Sequence, residues 1–425
     1  MSDLFDNEFS PESLMLGHGY APQWSEGSIK QPIYQTSTFV FKTAEEGKAH
    51  FQQAYQNRSR SQNEPIPGLI YSRLNNPNIE LFETRLALWD KAAGCASFDS
   101  GMAAISAVMM EFVKPGEFIL FSSPSYGGTD HFIKNYLHRY QIYHIEYFPW
   151  ETKTEIIQKI RDHQAEQKIS LIFVETPANP NNALFDIEMM VQLGREFSSE
   201  NKKIKVAVDN TYMGPLWQQP LQWGADFSIY SATKYIGGHS DVIAGAVCGG
   251  KEDVQRLKNF RSFFGSTCSP FNAWLLNRSL ETMKIRMEKQ AQNAASVAEY
   301  LNSHPSIEKV HYLGLIPSSD HRNYSIFQKQ YTSAGAMISF EIKGGEAAAF
   351  QFLNHLQLCH LAVSLGSTET LAEHPATMTH AGVSPEMKEK IGITSGLIRL
   401  SVGIENAQDL IQDIEQALSA ISSHS

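Results

Sequence analysis

Short apolar runs alternate with amphipathic stretches between residues 75 and 285 of the chain. Residues 152–163 and 187–197 have the spacing of amphipathic helices, and Asn76 followed by Pro77 is a typical helix start. Runs typical of buried strands occur at 96–98, 117–122, 142–148, 170–175, 204–209, 227–230 and 242–248. Strands separated by helices predict an α/β fold with a mostly parallel central sheet and helices on both faces.

The pattern changes on both sides of this region. Residues 1–74 lack long helical periodicity and are rich in Gly, Pro and polar residues, so we expect an arm that lies on another surface. Residues 286–425 combine helix patterns at 291–301 and 406–421 with strand patterns at 337–342 and 397–402. The sequence therefore predicts an arm (1–74), a larger domain (75–285) and a smaller C-terminal α+β domain (286–425).

Composition narrows the possible partners. The chain has 425 residues, 42% of them hydrophobic, which is enough for more than one packed core. The net charge is −10 and no basic block occurs, so we expect no nucleic-acid partner. No apolar run approaches membrane length and no signal-like segment opens the chain, so we expect no membrane contact and a cytoplasmic location. The four cysteines are far apart and the histidines are scattered, which predicts buried thiols and no metal site.

The strongest chemical signal is Lys234, in the run Ser231-Ala232-Thr233-Lys234 directly after a predicted strand. Asp209 closes an earlier strand, and the carboxyl ends of parallel strands meet at one edge of a sheet. Singly, such residues are commonly solvated loop or turn residues. Together they supply an amine for an aldehyde, hydroxyl groups for a phosphate and a carboxylate for a pyridine nitrogen. This combination predicts a site for pyridoxal 5'-phosphate.

Two further strand ends add possible contacts to this cofactor. Gly101 and Met102 follow Ser100 at a strand-to-helix turn, where free N–H groups attract an anion, so they would form a second wall of the phosphate site. Tyr126 is followed by two glycines and could stack on the pyridine ring. A tyrosine that merely packs on a neighbouring turn fits the sequence equally well at this position.

Several motifs resemble the Cys/Met-metabolism family of pyridoxal-phosphate enzymes, which includes cystathionine γ-synthase, cystathionine γ- and β-lyases, methionine γ-lyase and O-acetylhomoserine sulfhydrylase. They occur in the family's order and span most of the chain. They are Tyr71-Ser72-Arg73, Ser100-Gly101-Met102, Tyr126-Gly127-Gly128-Thr129, Glu175 to Pro180, Val208 to Thr211, Ser231 to Tyr235, Ser364-Leu365-Gly366, His374 to His380 and Arg399 to Gly403. The resemblance implies the aspartate-aminotransferase-like fold, known as fold type I.

The resemblance also implies roles for individual residues. Lys234 would carry the cofactor and then move the substrate Cα proton, with Tyr126 as the second catalytic candidate. Ser364 and Arg399 would bind the carboxylate of a small amino-acid substrate, for which a planar Arg fork is well suited. The implied cofactor-binding residues are Gly101, Met102, Tyr126, Asn179, Asp209, Ser231, Thr233 and Lys234, and Asn179 would also lie near the substrate.

In this family Tyr71 and Arg73 reach the phosphate from a neighbouring subunit, which agrees with the prediction of an N-terminal arm. The resemblance therefore implies a homo-oligomer, which we expect to be a homotetramer built from active dimers.

The substrate remains open at the level of sequence. Gly128 stands where methionine γ-lyases typically carry Cys, and the stretch from Thr377 to Val383 is closest to the γ-synthases and sulfhydrylases. Val363 stands where many cystathionine γ-lyases have Glu, and an apolar residue there suits an uncharged tail such as a thioether. We expect γ-elimination or γ-replacement of the methionine γ-lyase or cystathionine γ-synthase type.

The alternatives are a cystathionine β-lyase or an O-acetylhomoserine sulfhydrylase. A catalytically silent regulatory protein is disfavoured because Lys234, Tyr126 and Arg399 are all present. The tract from His50 to Gly68 also looks expanded relative to the family.

Overall fold

The larger of two sheets corresponds to the predicted central domain. The computed structural model describes residues 9–55 and 68–422. The strands of this sheet are β1 (Gly94–Phe98), β2 (Phe118–Ser122), β3 (Tyr143–Tyr147), β4 (Ile169–Glu175), β5 (Lys205–Asp209), β6 (Phe227–Tyr230) and β7 (Gly245–Gly249). Their spatial order is β1-β7-β6-β5-β4-β2-β3. β7 runs antiparallel to both neighbours and the other pairs are parallel, which confirms the predicted mostly parallel sheet.

Strand β4 shows why the sheet is covered on both faces. All seven of its residues are buried. Leu171 and Phe173 belong to the hydrophobic core on one face, and Ile172 and Val174 belong to the core on the other. A strand without a polar face is stable only when helices cover both sides of the sheet.

The second sheet belongs to the C-terminal region. Its strands are β8 (Ile307–His311), β9 (Met337–Ile342), β10 (His360–Leu361), β11 (Leu371–Glu373) and β12 (Leu397–Ser401). They are ordered β10-β11-β12-β9-β8, with β10 and β11 parallel and the other neighbours antiparallel. This arrangement confirms a smaller α+β region beside an α/β one.

Helices cover both sheets and connect their strands. They are α1 (Pro11–Leu14), α2 (Ala44–Tyr55), α3 (Pro77–Asp90), α4 (Gly101–Phe112), α5 (Gly127–His131), α6 (Lys153–Asp162), α7 (Ile187–Phe197), α8 (Gly214–Trp217), α9 (Lys251–Phe264), α10 (Pro270–Leu280), α11 (Met283–Ser303), α12 (His321–Gln330), α13 (Gly345–His355), α14 (Pro385–Lys390) and α15 (Ala407–Ser422). As predicted, Asn76 caps α3 and Pro77 is its first residue. Helix α11 runs across residues 285 and 286, and the two boundaries between the three predicted segments stay predictions. No helix in the described ranges is long and apolar enough to cross a membrane.

The described part of the N-terminal arm lies against its own chain. Leu14 and Met15 are buried in the core next to α3, and the Tyr34 N–H donates to the Asn78 side chain at 2.7 Å. Large apolar side chains of the same segment face outward, and Val40 is 96% exposed. A contact between this arm and a neighbouring subunit stays a prediction. Residues 1–8 and most of the expanded tract, 56–67, lie outside the described residues.

Helix α2 was not predicted, because residues 1–74 lack long helical periodicity. Its start nevertheless carries a local signal, since Thr43 accepts a hydrogen bond from the Glu46 N–H. Ser or Thr followed three residues later by Glu is a helix-start pattern. The capping pattern, rather than an apolar face, could therefore have identified this helix.

The four cysteines are buried free thiols, as predicted. Cys95 and Cys248 are direct partners across the antiparallel pair β1 and β7. Their separation in sequence hides this proximity.

Asp90, the last residue of α3, is a buried acid whose charge is unfavourable in the fold. It is fully buried beside Ser228, Tyr230 and Cys248, and burial raises its pKa to about 6. The C-terminal end of a helix also disfavours a negative charge. Because the folded pKa lies above the unfolded value of about 3.9, the stability that this carboxyl contributes is complete below about pH 4 and is lost as the pH rises through about 6.

We predict that Asp90→Asn becomes more stable relative to wild type as the pH rises from 4 to 7, by about 3 kcal/mol for a shift of this size. Urea unfolding of both proteins across this range measures the difference. Asp413 provides a control of opposite sign, because its pKa is lowered in the fold. Burial acts to raise this pKa, but hydrogen bonds from the N–H groups of residues 357–359 lower it by more. Asp413→Asn should therefore lose stability relative to wild type as the pH rises through about 4, and should change little more between pH 5 and 7, where Asp90→Asn gains. A pH-independent difference for Asp90→Asn would contradict the prediction.

Candidate active site

The predicted site residues converge where the parallel strands end. Asp209 is the last residue of β5, and Glu175, the last residue of β4, is its direct partner in the sheet. Ser231 follows β6, and Ser100, which follows β1, caps α4 by accepting from the Ala103 N–H. The carboxyl edge of such a sheet is the usual position of a ligand site.

Lys234 lies in the turn after β6, where its N–H donates to the Ser231 carbonyl at 3.0 Å. Its Nζ donates to the Ser364 Oγ at 2.8 Å, which links the first sheet to a loop of the C-terminal region. Burial, followed by the nearby positive charge of Arg399, lowers the pKa of Lys234 to about 8. A lysine with this pKa has a substantial neutral fraction near neutral pH and can act as a nucleophile or a base.

The two predicted walls of the phosphate site are in contact. A Cβ atom on Gly101 would lie 2.8 Å from the Ser231 Cβ, so the close approach of these segments requires glycine at position 101. Ser100 caps α4 through the Ala103 N–H, so the earlier N–H groups of the helix, those of Gly101 and Met102, can serve an anion at this position. The Thr233 hydroxyl interacts with both backbone groups of Ala244 and thereby holds the turn against the following strand.

Asp209 is buried and accepts two hydrogen bonds from Thr211, at 3.1 Å from its N–H and 2.6 Å from its hydroxyl. The Thr211 hydroxyl in turn accepts from the Ser231 N–H at 2.9 Å, which joins the carboxylate to the phosphate wall. Burial raises the pKa of Asp209, although both bonds from Thr211 oppose this effect. A cation beside this carboxylate, such as a protonated pyridine nitrogen, would stabilise its ionised form.

Tyr126 lies shortly after the end of β2. The residue is 44% exposed, and its N–H donates to the Glu175 Oε2 at 2.6 Å. A Cβ on Gly128 would lie 2.6 Å from the Tyr126 ring and 3.3 Å from the Met102 sulfur. Glycine at position 128 therefore lets this ring lie beside Met102.

The positive charge of Arg399 lies close to Lys234. Arg399, on β12, is buried and donates from Nη2 to the Ser364 carbonyl at 2.6 Å and from Nη1 to the Asn179 Oδ1 at 3.0 Å. Ser364 has a φ of +99°, an unusual conformation for a residue with a side chain. The predicted substrate-binding residues Ser364, Arg399 and Asn179 thus form one hydrogen-bonded group with Lys234.

Three other predicted residues are placed differently. Val363, next to Ser364, is 54% exposed. Tyr71 and Arg73 are exposed and lie beside each other, and Arg73 donates to the Ser262 carbonyl. The contacts described for these two residues within the chain do not include the group around Lys234.

Two buried carboxylates of the site received no role from the sequence. Glu175 accepts from the N–H groups of Tyr126 and Asn179, at 2.6 and 3.0 Å, and burial followed by the charge of Asp209 raises its pKa to about 8. Glu373, on β11, forms an ion pair with Arg399 at 2.9 Å. The sequence did contain a signal for both residues. Glu175 opens the family motif that runs to Pro180, and Glu373 is a charged residue at the end of an apolar strand.

This arrangement fits pyridoxal phosphate. Lys234 is half-buried and has a lowered pKa, and the cradle between Gly101 and Ser231 would be filled by a single added Cβ atom. Asp209 offers a buried carboxylate that is linked to that cradle through Thr211, and Tyr126 offers an exposed aromatic residue. These four features match the aldehyde, phosphate, pyridine nitrogen and ring face of the cofactor.

Comparison with known proteins agrees with this geometry. The family model of the Cys/Met metabolism PLP-dependent enzymes matches residues 12–419. The L-methionine gamma-lyase of Porphyromonas gingivalis is 40% identical over 421 residues, which are 99% of both chains. The O-succinylhomoserine sulfhydrylase of Pseudomonas aeruginosa is 35% identical over 99% of this chain and 97% of its own.

A solved structure is also similar over nearly the whole length. The cystathionine gamma synthase of Xanthomonas oryzae pv. oryzae, solved with aminoacrylate and cysteine, has a TM-score of 0.86 and 31% identity, and the match covers 98% of this chain and 100% of that one. The fold is therefore fold type I, and the chain belongs to the Cys/Met metabolism family of pyridoxal-phosphate-dependent enzymes.

Proposed function

We propose that this enzyme catalyses γ-elimination from sulfur amino acids and that L-methionine is its substrate. The observation that carries the proposal is Val363, a partly exposed apolar side chain next to Ser364. An uncharged thioether tail is compatible with an apolar residue here, whereas the distal ammonium of cystathionine would find no carboxylate at this position.

Lys234 would perform the proton transfers. Lys234 is half-buried and has a pKa of about 8, so its neutral form can accept the proton from the substrate Cα and pass a proton to neighbouring positions. The Ser364 hydroxyl, 2.8 Å away, fixes the direction of the amine. Bound pyridoxal phosphate would supply the electron sink for the Cα–H bond that is broken.

The other residues would hold the reactants in place. Arg399 and Ser364 would bind the substrate carboxylate, and Asn179, already bonded to Arg399, would lie near the amino group. Gly101, Met102, Ser231 and Thr233 would surround the phosphate. Asp209 would keep a proton on the pyridine nitrogen, and Tyr126 would cover the ring and exclude water.

A γ-replacement activity of the cystathionine γ-synthase type is the second candidate. Gly128 favours it, because methionine γ-lyases typically carry Cys at this position and this chain has no thiol there. The two candidates share the same proton transfers at Cα and differ in whether a thiol enters after the γ-substituent has left.

A side-by-side assay separates the candidates. Purified holoenzyme is incubated with L-methionine, L-cystathionine or an O-acylhomoserine, with and without L-cysteine, and both α-keto acid and cystathionine are measured. The proposal requires α-keto acid from L-methionine at the highest kcat/KM of the panel. If the main reaction is instead the formation of cystathionine from O-acylhomoserine and cysteine, the proposed γ-elimination is wrong and the enzyme catalyses γ-replacement.

We also propose that the active unit is a homo-oligomer in which Tyr71 and Arg73 complete the phosphate site of a neighbouring chain. Both residues are exposed, and the segment before them presents Trp24, Ile29 and Val40 to solvent within one chain. A second subunit on this surface would cover apolar side chains that are costly to expose as a group. Four chains, arranged as two such dimers, are the expected assembly.

Our prediction for Lys234 concerns its ionisation. In the cofactor-free protein, the rate of pyridoxal-phosphate capture should rise with pH and level off above a midpoint of about 8, because only the neutral amine attacks an aldehyde. Borohydride reduction followed by peptide mapping identifies the labelled lysine. Lys234→Ala should lose this label and all elimination activity while retaining its circular dichroism spectrum. A midpoint near the ordinary lysine value of about 10.4 would contradict the prediction.

Our prediction for Val363 concerns specificity. Val363→Glu should shift the ratio of kcat/KM from methionine toward cystathionine by about tenfold, since the new carboxylate can pair with the distal ammonium. Val363→Gln has the same size without the charge and should leave the ratio near the wild-type value. Equal ratios for the Glu and Gln variants would show that position 363 does not select the tail charge.

Our prediction for the assembly uses complementation. Mixing inactive Arg73→Ala with inactive Lys234→Ala should restore about one quarter of wild-type activity after random subunit exchange, because half of the dimers are hybrids with one intact site. The control mixes Lys234→Ala with Asp209→Ala, whose defects lie in the same chain's site, and should stay inactive. No recovery in the first mixture, with exchange confirmed by native mass spectrometry, would place Arg73 outside the neighbour's site.

A further inference from the structure

Glu373 and Arg399 form a buried ion pair at the centre of the C-terminal sheet. They are direct partners across the antiparallel strands β11 and β12. The Glu373 side chain is fully buried and that of Arg399 is 3% exposed, and the Oε1 to Nη1 distance is 2.9 Å. Loss of either partner would leave a charge without its counter-charge in a site that excludes water.

The guanidinium of Arg399 is already largely occupied by the protein. Nη1 also donates to Asn179, and Nη2 donates to the Ser364 carbonyl. The same Oε1 of Glu373 accepts from the Thr379 hydroxyl at 2.9 Å, which fixes the carboxylate from a second side. Two polar atoms, Nε of Arg399 and Oε2 of Glu373, are buried without a hydrogen-bond partner among the described residues.

These contacts have an electrostatic consequence for any anion that enters the pocket. A substrate carboxylate at Arg399 would be attracted by the guanidinium and repelled by Glu373, so the pair would attract it less than Arg399 alone. Low dielectric strengthens both effects, because the pair is shielded from water. The ion pair therefore orients Arg399 and at the same time weakens its attraction for a second carboxylate.

We propose that Glu373 is a positioning residue that sets the affinity of the enzyme for the substrate carboxylate: it holds the guanidinium of Arg399 in place and opposes part of its charge. This inference rests on the proposed role of Arg399 in binding that carboxylate. Moderate affinity serves catalysis, since tight binding shared equally by the substrate and the transition state does not raise kcat.

The test compares two ligands that differ only in the carboxylate. L-Alanine, which has no γ-substituent to eliminate, and L-alaninamide are titrated into the holoenzyme by calorimetry, and the ratio of their dissociation constants is determined for each variant. Glu373→Gln keeps an oxygen acceptor for Arg399 and Thr379 but removes the charge. It should bind L-alanine roughly tenfold more tightly than wild type, with little change for L-alaninamide.

Two further variants separate charge from support. Glu373→Ala removes the acceptor as well and should bind L-alanine more weakly than Glu373→Gln, because Arg399 is then free to move. Glu341→Gln removes a carboxylate from strand β9 of the same sheet, one that pairs with His311 rather than Arg399, and should leave both dissociation constants unchanged.

The possible failures are distinguishable. Weaker binding of L-alanine in Glu373→Gln, to the same extent as in Glu373→Ala, would mean that Glu373 only supports the structure, and would overturn the proposal. Equal dissociation constants of the wild-type enzyme for L-alanine and L-alaninamide would show that Arg399 does not bind the substrate carboxylate. The proposal for Glu373 would then also be wrong, because it depends on that role of Arg399. Failure of the methionine assay with normal carboxylate discrimination would instead reject the proposed substrate and leave the role of Glu373 supported.

Discussion

The structure around the pocket depends on one buried cation, Arg399. Its guanidinium joins three segments that are far apart in sequence: Asn179 after strand β4, the loop at Ser364, and Glu373 on the neighbouring strand. Asn179 comes from the parallel sheet and the other two from the C-terminal region, so the same cation connects both parts of the chain. A buried arginine requires several acceptors at once, and this requirement fixes the relative position of the segments that provide them.

Glu175 extends this network toward the cofactor side. Its two oxygens accept from the N–H groups of Tyr126 and Asn179, so one carboxylate holds the proposed ring-stacking residue and the residue that contacts Arg399. Asp209 is its direct neighbour in the sheet. Groups proposed for the cofactor and groups proposed for the substrate therefore share a rigid support. A displacement on one side would be transmitted to the other through Glu175 and Asn179.

The sequence predicted the parallel sheet well, because buried strands such as β4 are continuous apolar runs with helices between them. The convergence of Lys234, Asp209 and Ser231 was also predictable, since the ends of parallel strands meet at one edge. Helix α2 was missed because its signal is a cap rather than an apolar face. The ion pair between Glu373 and Arg399 could not be found in this way, because it depends on the register between β11 and β12, which no local pattern specifies.

Burial of the site residues also determines how they ionise. Burial raises the pKa of Glu175 to about 8, raises the pKa values of Asp209 and Glu373, and lowers the pKa of Lys234 to about 8. Each shift favours the neutral form, so a charge in this site is costly wherever it lacks a partner of opposite sign. A pyridinium beside Asp209 would favour its ionised form, and the charge of Asp209 would in turn favour the protonated form of Glu175. A bound cofactor would therefore act on the proton balance of Glu175, the group that accepts from the N–H groups of Tyr126 and Asn179.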